Sequence, residues 1–433
     1  MPNFKQFFKG KKITMMGLGL LGRGVGDAAF LAECGAEVLV TDLKSKNELK
    51  SSLQKLRKYN HIKYILGRHR LEDFKNTDLI LKSAGVPLDS IYIKEARKHK
   101  IPVEMSAALF AKFSGIPMLG VTGTRGKSTV THLIAHILKS AGKKIILGGN
   151  VRGVSNLQLL KDTKGTDMSV FELDSWQLQG FGESKISPLI AVFTNFLSDH
   201  LNYYKNDTKK YFSDKSYIYK FQNRNDILVL GPKMRGLIKN AKSKIINTSV
   251  KNIPKSWKIN LKGEHNLENI ICAVEVARIL KIKEKIIKKA VESFKTIPGR
   301  LEMVKKMRGV YIYNDTNSTT PDAVIAALNS FPKKVILIMG GMDKGPKVDD
   351  LVKILPRKTK YIFLTPGSGG DKIRRHKIKT ERVPGLQGAV TTAMKKSKAG
   401  DVILFSPGFA SFNMFKNEYD RGDQFMKIVK KLK

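Results

Sequence analysis

Cysteine is nearly absent: two in 433 residues. Cys34 and Cys272 stand far apart in apolar helical surroundings. That excludes a disulfide framework and a multi-cysteine metal site, and it fits a reducing compartment. Acidic side chains are scarce as well, 37 against 79 Lys and Arg, for a net charge of +42. Long apolar runs are missing. The longest, 189–193 and 335–339, fall far short of the roughly 18 residues a membrane span needs. The first dozen residues lack the apolar stretch of a secretion signal. These absences predict a cytoplasmic protein with no membrane partner.

What is present is a globular balance. Hydrophobic residues make up 42% and charged residues 27%, with 36 Gly and 15 Pro. This excludes a disordered or collagenous chain, and the length suits about three domains. The positive charge invites a nucleic-acid reading. Yet it is spread as +9, +18 and +15 over residues 1–110, 111–297 and 298–433. A dedicated binding arm would concentrate it. The densest runs, 281–289 and 372–379, read as solvated faces. A basic surface also suits small anionic substrates.

Strand and helix patterns alternate throughout, which predicts α/β architecture. Expected strands are 12–16, 36–41 and 78–82, then 116–122, 144–147, 168–173, 189–194 and 227–230, then 310–313, 334–339, 360–364 and 402–405. Helices are expected over 25–34, from the second glycine loop to 140, over 266–280 and from about 420 to the end. Boundaries near 110 and at Ile297-Pro298-Gly299 divide the chain into 1–110, 111–297 and 298–433. These read as a Rossmann-like N-terminal domain, a central P-loop-type ATPase domain with a mostly parallel sheet, and a Rossmann-like C-terminal domain.

Two glycine loops carry chemistry. Gly17-Leu18-Gly19-Leu20-Leu21-Gly22 follows a strand and opens a helix, and Asp42 ends the next strand. Glycines let a diphosphate approach the backbone, and the helix N-terminus attracts it. Alone, this loop fits an NAD-dependent oxidoreductase, or a tight turn that binds nothing. The second loop, Thr122-Gly123-Thr124-Arg125-Gly126-Lys127-Ser128-Thr129, is sharper. Its backbone N–H groups would cradle phosphates, Lys127 would neutralise them and Ser128 would ligate Mg²⁺. Val121 stands where a regular Walker loop has its first glycine. Glu172 and Asp199-His200 follow neighbouring strands, where open α/β sheets bind their ligands. They are candidates for holding Mg²⁺, against the plainer readings of a capping Asp and a surface His.

The segments TGTRGKST, FELDSWQL, TNFLSDHLNYY, GEHNLEN, PGRLE and YNDT occur in that order. Together they resemble the Mur ligase family, ATP-dependent amide-forming enzymes of peptidoglycan precursor synthesis. GGMDKG at 340–345, SPGFASF at 406–412, FKN at 415–417 and RGDQF at 421–425 look like the branch of that family that adds D-glutamate to UDP-N-acetylmuramoyl-L-alanine through an acyl phosphate.

The resemblance implies roles, residue by residue. Gly123, Thr124, Gly126, Lys127, Ser128 and Thr129 would form the ATP loop, with Asn266 and Asn269 near the adenine. Arg300 and Asp315 would reach the nucleotide phosphates and ribose. Glu172, His200, Ser128 and a carbamylated Lys215 would hold Mg²⁺. Gly17, Gly19, Gly22, Asp42 and Ser83 would hold the UDP moiety, and Asn150, Ser175 and Gln177 the muramoyl-alanine end. Thr319, Lys344 and Ser411 would meet the carboxylates of glutamate. Implied partners are these small molecules and ATP, with no nucleic acid, for a monomeric enzyme.

Two positions depart from the branch. Asn317 stands where Lys is frequent, and Glu418 where an aromatic residue is common. They leave open another Mur-type ligase, one using L-glutamate, or a folylpolyglutamate synthetase-like enzyme. A basic nucleic-acid-stimulated P-loop ATPase would need a localised basic face or interleaved aromatics, and the sequence has neither.

Overall fold

The computed structural model describes residues 3–197, 199, 203–238, 240–261, 263–345, 347–411 and 414–432. It contains three sheets. The first has strands β1 (Lys12–Met16), β2 (Glu37–Asp42), β3 (Lys63–Leu66), β4 (Leu79–Lys82) and β5 (Val103–Glu104). They are parallel and lie in the order β3-β2-β1-β4-β5. The second has β6 (Met118–Thr122), β7 (Ile145–Gly149), β8 (Met168–Glu172), β9 (Ile190–Phe193), β10 (Ile227–Leu230) and β11 (Lys244–Asn247). It is also parallel, in the order β11-β10-β9-β6-β8-β7.

The third sheet has β12 (Glu302–Met307), β13 (Val310–Asn314), β14 (Val335–Gly340), β15 (Thr359–Thr365), β16 (Glu381–Arg382) and β17 (Val402–Gly408). Its order is β12-β13-β17-β14-β15-β16, with only β12 antiparallel. Parallel sheets need cover on both faces, so their inner strands are apolar on both sides. In β14 all six residues are buried. Leu337 and Met339 join one apolar layer, and Ile336 and Ile338 join the other.

The α/β expectation holds, and all twelve expected strands are present. Five strands were not expected: β3, β5, β11, β12 and β16. Each lies at the edge of its sheet. Edge strands carry charge or are very short, as in Glu302–Met307 and Glu381–Arg382, so they lack the apolar signal. Among the described residues, no helix is long and apolar enough to cross a membrane.

By internal contact the chain forms two compact units. One is Met1–Trp257 with Glu268–Val291, and the other is Lys258–Leu267 with Glu292–Lys433. Inside the first, the helix Arg23–Glu33 docks one face on the segment that follows β7. Arg23, Gly26 and Asp27 lie on that face at helical spacing. Ser155 Oγ donates to Asp27 Oδ1 at 2.6 Å, and Gln158 Nε2 donates to the Gly26 carbonyl at 3.2 Å. A Cβ on Gly26 would sit 2.4 Å from Ser155 Cβ, so only glycine permits this approach.

Burial raises the Asp27 carboxyl from the ordinary 3.8 to about 6, against the pull of Ser155, the Leu157 N–H and Arg23. The folded chain therefore holds this proton more tightly than the unfolded chain. Stability should fall as pH rises from about 4 to about 6 and stay lowered above that. Asp27→Asn keeps an acceptor for Ser155 and removes the buried charge. Denaturant titrations should show the 4–6 slope flattened and stability at pH 7.5 higher by about 2 kcal/mol. A variant with the parent's slope would contradict the assignment.

Candidate active site

The second sheet brings three strand ends side by side. Val121 pairs with Glu172 and Thr122 with Phe193, so the loops after β6, β8 and β9 open at one edge. The loop after β6 is the glycine loop, and the helix Lys127–Ser140 starts directly from it. A strand that runs straight into a helix must reverse within a few residues, and glycines at positive φ allow this. Gly123 has φ +146 and Gly126, the N-cap, has φ +82. A Cβ on Gly123 would lie 1.9 Å from Thr194 Oγ1, and one on Gly126 would lie 2.0 Å from Asn269 Oδ1.

The loop is zipped to the segment after β9. Thr124 N–H donates to the Asn195 carbonyl at 2.9 Å, and Arg125 N–H to Asn195 Oδ1 at 2.9 Å. Thr194 Oγ1 donates back to the Arg125 carbonyl at 2.6 Å. The Thr124 hydroxyl is hydrogen-bonded to both backbone groups of Leu197. Thr124 is thus a buried brace under the loop. Arg125 forms an ion pair with Asp199 at 3.1 Å.

Two lysines meet at one carbonyl. Lys127 Nζ donates to Gly123 O at 3.0 Å and to Thr124 O at 3.1 Å. Lys215 Nζ donates to the same Gly123 O at 2.8 Å. Lys215 is 1% exposed and comes from the helix Thr208–Ser216, capped by Asp207. Asp214, its neighbour, accepts from Gln179 at 2.8 Å and Tyr204 at 3.0 Å, which pins that helix. Burial pushes the Lys215 amine well below the usual lysine range, and nearby Lys127 adds to the push; Asp174 and Asp199 oppose it.

Glu172 ends β8 and is buried, and it pairs with no Lys or Arg among the described residues. Such a carboxylate suits a cation. Ser128 and Thr129 lie in the first turn of the loop's helix. His200 lies outside the described residues. Asn269 packs on Gly126, and Asn266 is buried in the helix Glu264–Ile279.

At the first glycine loop the outcome is more specific than the sequence suggests. Asp42 Oδ2 accepts from Leu18 N–H at 2.9 Å and Gly19 N–H at 3.1 Å, and Oδ1 accepts from Lys44 N–H at 2.9 Å. The acid therefore braces the loop itself. Ser83 Oγ donates to the Gly17 carbonyl at 2.7 Å, and Gly22 is the αL cap of the helix that follows. Asn150 follows β7; its N–H donates to the Glu172 carbonyl at 2.7 Å, and its Oδ1 accepts from Arg23 at 2.6 Å. Ser175 is buried at the start of the helix Ser175–Glu183, and Gln177 completes a capping box with Asp174.

In the other unit the ends of β13, β14 and β17 converge. Gly408 N–H donates to the Ser318 carbonyl at 2.8 Å, next to Thr319. Met342 and Ala410 exchange backbone bonds of 2.8 and 3.1 Å, which draws together the segments bearing Lys344 and Ser411. Asp315 accepts from Ser406 Oγ at 2.8 Å and Leu301 N–H at 3.0 Å. Burial raises its carboxyl to about 7, although Ser406, Leu301 and Arg300 pull it down. Asn317 is held by its N–H and side chain to the Gly299 and Pro298 carbonyls at 3.0 and 3.2 Å.

Sequence reasoning did not assign roles to Arg23, Asn195 or Arg421. Asn195 had a local signal, a Thr-Asn pair ending a strand. Arg23 had none, and Arg421 only its place in the RGDQF segment, because Asn150 and Thr316, which they bind, lie more than 100 residues away along the chain.

Gly126→Ala should place its methyl against Asn269 and strain a positive φ, at a cost of about 1–2 kcal/mol. ADP titration calorimetry should show at least about 10-fold weaker binding. Circular dichroism should remain that of the parent. Unchanged ADP affinity would show that the loop does not hold the nucleotide.

Three family descriptions match the chain: Mur ligase MurD-like N-terminal domain over residues 11–104, Mur ligase middle domain over 121–256, and Mur ligase glutamate ligase domain over 299–409. A UDP-N-acetylmuramoylalanine–D-glutamate ligase of Roseiflexus sp. is 33% identical, covering 97% of this chain and 98% of the relative. Among solved structures, UDP-N-acetylmuramate-alanine ligase MurC of Thermotoga maritima superposes with TM-score 0.65 at 20% identity, covering 97% of this chain and 99% of that one. MurF ligase from Thermotoga maritima in complex with ADP gives 0.61 at 19% identity, over 91% and 94%.

Proposed function

The chain belongs to the Mur ligase family, and from that premise we propose that it uses ATP to join D-glutamate to UDP-N-acetylmuramoyl-L-alanine in peptidoglycan precursor synthesis. The observation that carries this reading is the pair of lysines on the Gly123 carbonyl, at a strand end that opens into a helix. The reaction brings a carboxylate against a triphosphate, so neutralising charge is its largest requirement.

The substrate carboxylate attacks the γ-phosphorus in line, ADP departs, and an acyl phosphate forms. The glutamate amine then attacks the acyl carbon, and phosphate leaves from the tetrahedral intermediate. Lys127 stands in the loop to balance the γ-phosphate charge, and the first turn of its helix adds N–H groups. Ser128, Glu172, Lys215 as its carbamate and His200 would hold Mg²⁺, which supplies further neutralisation of the phosphates when bound. The depressed Lys215 amine supports that modification. A neutral amine can add to carbon dioxide and release a proton, which leaves an anionic carbamate.

Residues 1–110, 111–297 and 298–433 would serve as the UDP-substrate, ATP and glutamate domains. Gly17, Gly19, Gly22, Asp42 and Ser83 form the UDP loop, with Asp42 acting through the loop backbone. Asn150, Ser175 and Gln177 face the muramoyl-alanine end. Thr319, Lys344 and Ser411 receive glutamate, while Arg300, Asp315, Asn266 and Asn269 receive the nucleotide. The enzyme would act as a cytoplasmic monomer on small molecules, without nucleic acid or membrane.

Phosphate release in the presence of ATP, UDP-N-acetylmuramoyl-L-alanine and D-glutamate tests the reading. Lys127→Ala should lower turnover at least about 100-fold with the fold retained. Near-normal turnover would refute the site. Lys215→Ala should lose activity and regain part of it when short carboxylates are added. Full activity without rescue would exclude a carbamate role.

A further inference from the structure

Arg421 is 2% exposed, in the helix Glu418–Lys430. Its Nε donates to Thr316 Oγ1 at 3.2 Å, Nη2 to Thr316 O at 2.8 Å and Nη1 to Phe409 O at 3.0 Å. These acceptors are neutral, and no carboxylate forms an ion pair with it among the described residues. Thr316 lies three residues before Thr319, and Phe409 two before Ser411. Arg421 also lines a small cavity with Gly340, Gly341, Thr365, Phe405 and Phe415. Gly422 allows the close approach, since a Cβ there would meet Thr316 Cγ2 at 2.7 Å.

A strut between two turns needs donors, not charge. A neutral amide would do that work without the desolvation cost of a buried cation. We propose that Arg421 is the positioning and specificity-determining residue of the amino-acid site: it sets the Thr316–Thr319 and Phe409–Ser411 turns, and its unneutralised charge favours an amino acid with a second carboxylate. The inference rests on the reading of Thr319, Lys344 and Ser411 as that site. Burial lowers the guanidinium to about 10, with Glu418 one turn earlier pulling it upward, so it stays charged at neutral pH.

The test measures KM for D-glutamate, ATP and UDP-N-acetylmuramoyl-L-alanine by phosphate release. Arg421→Gln keeps donors and loses the charge. It should raise the glutamate KM at least about 30-fold while the other two move less than about 3-fold. Arg421→Lys keeps the charge and loses the fork, and should stay within about 5-fold of the parent's glutamate KM. Thr316→Val removes one strut bond and leaves the charge, and should also stay within about 5-fold.

A glutamate KM unchanged in Arg421→Gln overturns the inference. So does a rise in Arg421→Lys beyond about 30-fold, which would make the fork alone decisive and which carries the test if the glutamine variant does not fold. A parent protein without glutamate-dependent phosphate release defeats the functional reading beneath, and this inference with it. Normal release in the parent with no selective effect at Arg421 defeats the inference alone.

Discussion

Gly123 has no room for a side chain, and much of the central site follows from that. Its φ of +146 turns β6 sharply toward the helix, and Thr194 closes the space where a Cβ would stand. With the turn held in that shape, Asn195 binds the next two N–H groups, and the Gly123 carbonyl points to where Lys127 and Lys215 both reach it. A lysine that must share a buried carbonyl with another cation is a poor ammonium. Burial first, and the neighbouring Lys127 second, hold the Lys215 amine well below the usual lysine range.

The first loop uses the same backbone device with a different lock. There Asp42 takes the N–H groups of Leu18 and Gly19, and Ser83 takes the Gly17 carbonyl. A hydrogen bond from Arg23 to Asn150 links the helix leaving this loop to the end of β7, which is bound in turn to the Glu172 carbonyl. The docked face of Arg23–Glu33 therefore ties the first glycine loop to the ends of β7 and β8 within one compact unit. The buried Asp27 makes that joint weaken as pH rises through about 4 to 6.

Much of this was legible in the sequence where apolar burial and glycine spacing wrote it. The inner strands read correctly because both faces are covered. The edge strands β3, β5, β11, β12 and β16 did not, since a strand with one neighbour tolerates charge and brevity. Lys127 was legible from the glycine loop that carries it, and Glu172 from its strand-end position. The inward roles of Asp42 and Thr124, and the service of Arg421 as a buried strut, were not. Those depend on partners brought near only by the tertiary fold. Of the cations behind the +42 charge, Lys127, Lys215 and Arg421 are held to loop backbone.

The central claim is that the substrate carboxylate becomes an acyl phosphate at the Gly123 loop. It is tested most directly by labelling both carboxylate oxygens of UDP-N-acetylmuramoyl-L-alanine with oxygen-18 and recovering the products of one turnover with ATP and D-glutamate. Attack of the carboxylate on the γ-phosphate carries one labelled oxygen into the released inorganic phosphate, and mass spectrometry should find it there. Unlabelled phosphate, or label in AMP, would contradict the account.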